Sequence, residues 1–240
     1  MSPLRRRSLS SVLTAVALVA SVTGCAGPEP ERGSGATPRA EASAPAAAAP
    51  AALGEAELRR MFVADAGTKG FVSRENDVAA VRPEADDEAC RPLADMTASG
   101  TARTPEAAAW ASRSFTSPTA PGLVVTVNLA SYEDGGAQRT LSDLRTAIDA
   151  CAGGFVTSNN NGGGTVTYTS VEPGKAPAEA GEESVSWVMT GVAEGARIPM
   201  HLTAVREGST LALFFTLHLT DSDKAVLPAE FFSAQTAALA

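Results

Sequence analysis

Histidine is almost missing from this 240-residue chain, which holds only His201 and His218, and cysteine is nearly as scarce, with Cys25, Cys90 and Cys151. A zinc centre draws on about four nitrogen, sulfur or oxygen ligands. Two histidines with no Asp, Glu or Cys beside them do not make such a set, so no metal is expected. No Gly-x-Ser-x-Gly turn, His-Glu-x-x-His helix or Gly-x-x-x-x-Gly-Lys loop occurs, and each of those motifs carries the working parts of a large enzyme class. Carboxylate pairs stand at Asp86-Asp87 and Glu182-Glu183, but general acid chemistry needs a pKa raised by burial or like-charge crowding. Adjacent polar residues read as solvated surface instead. The Asn159-Asn160-Asn161-Gly162-Gly163-Gly164 loop lacks the alternating carboxylates of a calcium site. Lysines and arginines are scattered, without the clustered footprint that a nucleic acid requires. The reading is a protein that is not an enzyme, has no cofactor and does not bind nucleic acid.

Long apolar runs are lacking too. Ser11 to Ser21 is rich in Val, Leu and Ala but spans only eleven residues, too few to cross roughly 30 Å of hydrocarbon as a helix. It follows Arg5-Arg6-Arg7 and is followed by Val22-Thr23-Gly24-Cys25, the layout of a secretory signal. This order resembles a bacterial lipoprotein signal. The resemblance implies removal of residues 1–24, a diacylglycerol on Cys25, and acylation of the new terminus, with palmitate as the expected fatty acid. Two chains anchor firmly where one holds only reversibly. The expected location is the outer face of the cell membrane, with the membrane as a partner through the lipid. Arg6-Arg7 is compatible with twin-arginine export as well as the ordinary route.

Residues 25–53 contain Pro28, Pro30, Pro38, Pro45 and Pro50, an alanine run at Ala46–Ala49, and little bulk for a core. They read as a linker that lifts a domain off the membrane, with a short helix through the alanines as the local alternative. Residues 54–240 have the length of one domain. Loss of the three signal arginines takes the formal charge from -8 to about -11, which favours solubility. With Cys25 committed to lipid in an oxidising compartment, Cys90 and Cys151 are expected to pair.

Within the domain, a helix is expected at Glu55–Val63 and a short strand at Phe71–Arg74. A second helix at Asp86–Met96 turns Cys90, Leu93 and Met96 inward, with Pro92 in its first turn. Ala109–Thr116 and Gly122–Ser131 read as neighbouring strands, the second with clean alternation of Leu123, Val125, Val127 and Leu129. A third helix is expected from an N-cap at Thr140, with Leu141, Leu144, Ile148 and Cys151 on its buried stripe and Gly153-Gly154 as its stop. Four strands follow at Thr165–Val171, Ser184–Val192, Arg197–Val205 and Thr210–Leu219, the last two joined by a Gly208-Ser209 hairpin. A terminal helix opens at Pro228 and brings Phe231, Phe232 and Leu239 to the sheet. The fold class is α+β: an antiparallel sheet with helices packed on one face and one disulfide.

The series Asp86-Asp87-Glu88-Ala89-Cys90, Trp110-Ala111-Ser112-Arg113-Ser114-Phe115, Leu123 to Leu129, and Ile148-Asp149-Ala150-Cys151-Ala152-Gly153 resembles the extracellular sensor domain of PknH-like actinobacterial serine/threonine kinases and its lipoprotein relatives. That resemblance implies an α+β fold with a cleft, two disulfides and a ligand bound outside the cell. Here Cys90 and Cys151 supply one disulfide, and no kinase domain precedes the sensor. The expected function is a non-enzymatic ligand-binding or sensor-like domain for a small-molecule, lipid or cell-wall ligand. A lipid or glycolipid carrier is the alternative and requires a large apolar cavity. No ligand-binding residue is assigned. Trp187 reads as core, with Trp187, Phe214 and Phe215 as the lining if the ligand is apolar, and the face carrying Phe214 and His218 as the wall of a cleft. Trp110 and Arg113, three residues apart on a strand, fall on opposite faces.

Overall fold

The computed structural model describes residues 50–240 except 69, 161–162, 176, 178–180 and 194. Lipidation at Cys25, the 1–24 signal, nearly all of the 25–53 linker, and Asn161-Gly162 of the glycine loop lie outside the described residues. In chain order the elements are α1 (Glu55–Arg60), β1 (Val72–Glu75), β2 (Glu84–Ala85), α2 (Arg91–Met96), β3 (Ala109–Ser117), β4 (Ala120–Ser131), α3 (Gly136–Ala150), β5 (Phe155–Ser158), β6 (Val166–Pro173), β7 (Glu183–Ala193), β8 (Ala196–Glu207), β9 (Thr210–His218) and α4 (Ala229–Ala237). The strands form one nine-stranded antiparallel sheet in the order β1-β3-β4-β9-β8-β7-β6-β5-β2. The run β6 to β9 is a meander of consecutive strands. Its last member closes against β4, where Leu129 faces Ala212 and Val127 faces Phe214.

Strand alternation divides the core in two. Leu211 and Leu213 of β9, Leu202 and Ala204 of β8, and Trp187 and Met189 of β7 pack with Leu93, Leu141, Leu144 and Ile148 of α2 and α3. The opposite parity, Phe214 and Ala212 of β9 with Val125 and Val127 of β4, packs with Leu58, Phe231 and Phe232 of α1 and α4. The fold is the expected α+β sheet with its disulfide, but helical cover extends to both faces. Alternation shows that a strand face is buried without saying which helix buries it, and β9 buries both faces over Thr210 to Phe214.

Each helix pair covers only half of its face. On the first, α2 and α3 lie over the β5 to β8 side, and Cys90 joins Cys151 there at a Cα separation of 5.8 Å. On the second, Phe231 meets Phe71 and Phe115 at ring distances of 5.0 and 4.8 Å, and Phe232 meets Phe214 at 4.9 Å. Gln235 locks α4 to α1: its amide oxygen accepts from the Val63 N–H at 3.0 Å and its nitrogen donates to the Met61 carbonyl at 2.8 Å.

The third helix starts earlier than its sequence suggests. Gly135, at a φ of 72°, is the N-cap, and Thr140 sits inside the helix with its hydroxyl donating to the Gly136 carbonyl at 2.9 Å. A buried threonine bonding back one turn gives the same sequence signal as a cap. The long segment between β1 and β3 is held by buried Asp95, which accepts from Arg82 Nε at 3.1 Å and the Thr104 N–H at 2.8 Å. Pairing and hydrogen bonding are what let a charge occupy such a position.

Candidate functional site

The half-covered faces leave two surfaces open, and each carries a depression. One runs along the edge strand β1, about 740 Å³ in volume, lined by Val72, Arg74, Asn76, Val78, Ser114 and Thr116 among others. Several of its polar groups are already engaged. Asn76 Nδ2 donates to Ser112 and Ser114 at 2.9 Å each, Ser114 bonds Thr126 at 3.0 Å, and Glu75 receives Arg59 and Arg113.

The second depression lies on the face that carries α4, over β7 and β8, where that helix does not reach. Register builds it. Ser186 stands opposite Thr203, and Val188 opposite His201, on the β7–β8 ladder. A cleft of about 210 Å³ opens above them, walled by Gly174 and Lys175 after β6 and by Ala225, Val226 and Leu227 on the approach to α4. Gly174 holds one wall close: its N–H donates to the Ser186 carbonyl at 2.8 Å, and a Cβ there would come within 3.0 Å of the Ser186 and Trp187 backbone.

The polar groups of this cleft are undercommitted. Ser186 and Thr203 share one hydrogen bond of 2.8 Å, which uses one of their two protons. His201 has no hydrogen-bond partner among the described residues, and burial alone pushes its imidazole below the ordinary value. Across β8–β9 it faces Thr216, 1% exposed, whose hydroxyl is buried without a partner. No carboxylate lines the cleft, and Lys175 is its one charged residue among those described. Such an arrangement can donate hydrogen bonds to a ligand. None of its hydroxyls is hydrogen-bonded to the His201 imidazole among the described residues: Ser186 and Thr203 bond each other.

The residues singled out by sequence fall into different roles. His218 lies on the strand next to His201 but is spent on structure: its Nδ1 accepts from the Asp221 N–H at 3.1 Å, and a Cβ on Gly122 would lie 2.7 Å from its ring. Phe214 is core beneath α4, so that end of the face is no cleft wall. Packing of Phe232 fills the space, a partner the strand's own alternation does not reveal. Trp187 is buried on the opposite side of β7 from the cleft groups and touches the cleft only through its position in the strand. Phe215 is half-buried against the α2 and α3 core, away from Phe214.

Trp110 and Arg113 do part to opposite faces, and Arg113 lies 4.9 Å over the Phe62 ring. Asp86 and Asp87 are structural, accepting from the Val156 and Ala89 N–H groups. Glu182 and Glu183 are not a free loop pair: Glu183 opens β7, and both bond Arg206, with Arg145 reaching Glu183 from α3. Among the described residues no group of three or more His, Cys, Asp or Glu is placed to hold a metal ion. Ser186 and Thr203 had no sequence signal beyond polar positions within a strand, and Lys175, in the connection after β6, had none.

No family model matches the chain, and no curated protein matches its sequence. Among solved structures it is similar to the crystal structure of the extracellular domain of PknH from Mycobacterium tuberculosis, at 9% identity and a TM-score of 0.49, over 79% of this chain and 97% of that one. This is a weak likeness at the level of the fold.

Proposed function

We propose that this chain is a lipid-anchored, non-enzymatic binding domain at the outer face of the cell membrane, sensor-like in role, with its ligand held in the His201 cleft. The observation that carries the binding reading is the polar cluster at His201: His201 has no partner among the described residues, the Ser186–Thr203 pair keeps one O–H proton uncommitted, and the buried Thr216 hydroxyl opposite has no partner. Buried polar groups are ordinarily satisfied, and a small pocket with an apolar wall and a few convergent polar groups is the usual form of a ligand site. Export and anchoring rest on the order of Arg5-Arg6-Arg7, the apolar stretch and Val22-Thr23-Gly24-Cys25. No helix among the described residues is long and apolar enough to cross a membrane. A carrier for lipids would need a large apolar cavity between sheet and helices, and both of those spaces are filled by packed side chains such as Leu141, Leu144, Phe115 and Phe231.

The test is a pair of mass spectra on the full chain purified from an envelope-containing bacterial host. Under native conditions the protein is expected to carry a small molecule that denaturation releases. Under denaturing conditions its mass is expected to match loss of residues 1–24 with lipid on Cys25. A native spectrum without any adduct contradicts the binding reading, and an unprocessed, unlipidated mass contradicts the anchor.

A further inference from the structure

We propose that the His201 cleft is a site for a small organic monocarboxylate, whose carboxylate lies among Lys175, His201, Ser186 and Thr203 and whose hydrocarbon part lies along Val188 and Val226. This rests on the reading of the cleft as the ligand site. The chain has a formal charge of -8, yet the cleft lining holds one cation and no anion among the described residues. A cationic ligand would meet repulsion from Lys175 and no negative charge among the described lining residues. An anion is matched there, and one lysine balances a single negative charge rather than the double charge of a phosphate monoester.

The hydrogen-bonding inventory points the same way. A lysine ammonium offers three donors, an imidazole at least one, and the Ser186–Thr203 pair one remaining O–H. A carboxylate accepts through both oxygens, so donors outnumbering charged acceptors is the environment it needs. The size limit follows from the volume of about 210 Å³, below the range of roughly 300–1,000 Å³ occupied by drug-sized ligands. Val226 is 65% exposed at the rim, and with Val188 it offers the apolar strip along which a short chain would lie.

The experiment is an NMR titration of the full chain labelled at histidine, reading the Cε1–H signals of His201 and His218, with His201→Gln used to assign them. The probes are straight-chain carboxylates from acetate to octanoate, the matching primary amides, and the matching alkylamines. Carboxylates are expected to shift His201 to saturation and leave His218 in place, with affinity rising with chain length. Lys175→Ala is expected to weaken binding by about tenfold or more, and Lys175→Arg to retain most of it. Amides or amines binding as tightly as carboxylates would overturn the carboxylate assignment, as would the absence of a His201 shift with every probe. In both cases a native spectrum that still carries an adduct leaves the binding reading standing, so the two failures are separable.

Discussion

His201 stands directly opposite Thr216 on the β8–β9 ladder, and neither side chain has a hydrogen-bond partner among the described residues. A buried hydroxyl without a partner keeps its full desolvation cost. Thr216→Val, nearly the same shape without the hydroxyl, is therefore expected to stabilise the protein by about 1 kcal/mol. Urea unfolding at neutral pH checks it, and the midpoint should rise.

Closing a loop between residues 61 apart, the Cys90–Cys151 disulfide is expected to contribute about 4 kcal/mol in the chain-entropy account. Cys90→Ala with Cys151→Ala should lower stability by that order, and reduction of the native protein should do the same. Comparing denaturant midpoints with and without reductant measures it.

Gln235 is fully buried and holds the backbone at both Met61 and Val63. Gln235→Leu keeps the bulk and strands one donor and one acceptor, at a cost of about 2 kcal/mol. Hydrogen exchange adds a second readout: the amide of Val63 should lose protection while the sheet retains it.

His201 and Glu183 are among the groups that respond to acid. Burial holds His201 below its ordinary value of 6.5, so the unfolded chain takes up a proton that the folded ring resists. Stability from this source is full above pH 6.5 and declines as the pH falls below it. The bonds from Arg206 hold Glu183 below its ordinary 4.5, and that contribution is present above pH 4.5 and lost as the pH falls further. Unfolding midpoints measured from pH 8 to 3 should decline in two stages, and His201→Gln should flatten the first while leaving the second.

The strands that dominate the sheet were legible because their own residues report their environment. Val125, Val127 and Leu129 alternate with Thr126, Asn128 and Ala130, and Leu211, Leu213, Phe215 and Leu217 recur at every second position, so β4 and β9 could be placed before any partner was known. Cys90 and Cys151 were legible as a pair for a different reason: with Cys25 assigned to lipid, they are the two cysteines that remain in an oxidising compartment. The two-residue β2 and four-residue β5 were not, since neither is long enough to show a period, and they exist through pairing Ala85 with Thr157 and Phe155 with Tyr168. Gly135 has no side chain to announce a cap, so Thr140 drew the helix start five residues too late. The cleft was least legible of all. Lys175, Ser186, His201 and Thr203 come from three separate stretches of chain, and only the β7–β8 register and the path into α4 bring them together.

The most direct test of the account compares ligand occupancy in the native protein with that in His201→Trp, which fills the cleft from its floor. Both are purified as the full chain from the same envelope-containing host, and circular dichroism is used to confirm an unchanged fold. The account predicts an adduct in the native spectrum of the unaltered protein and none in the variant. Equal adducts in both would place the ligand somewhere other than the His201 cleft, and no adduct in either would contradict the binding function itself.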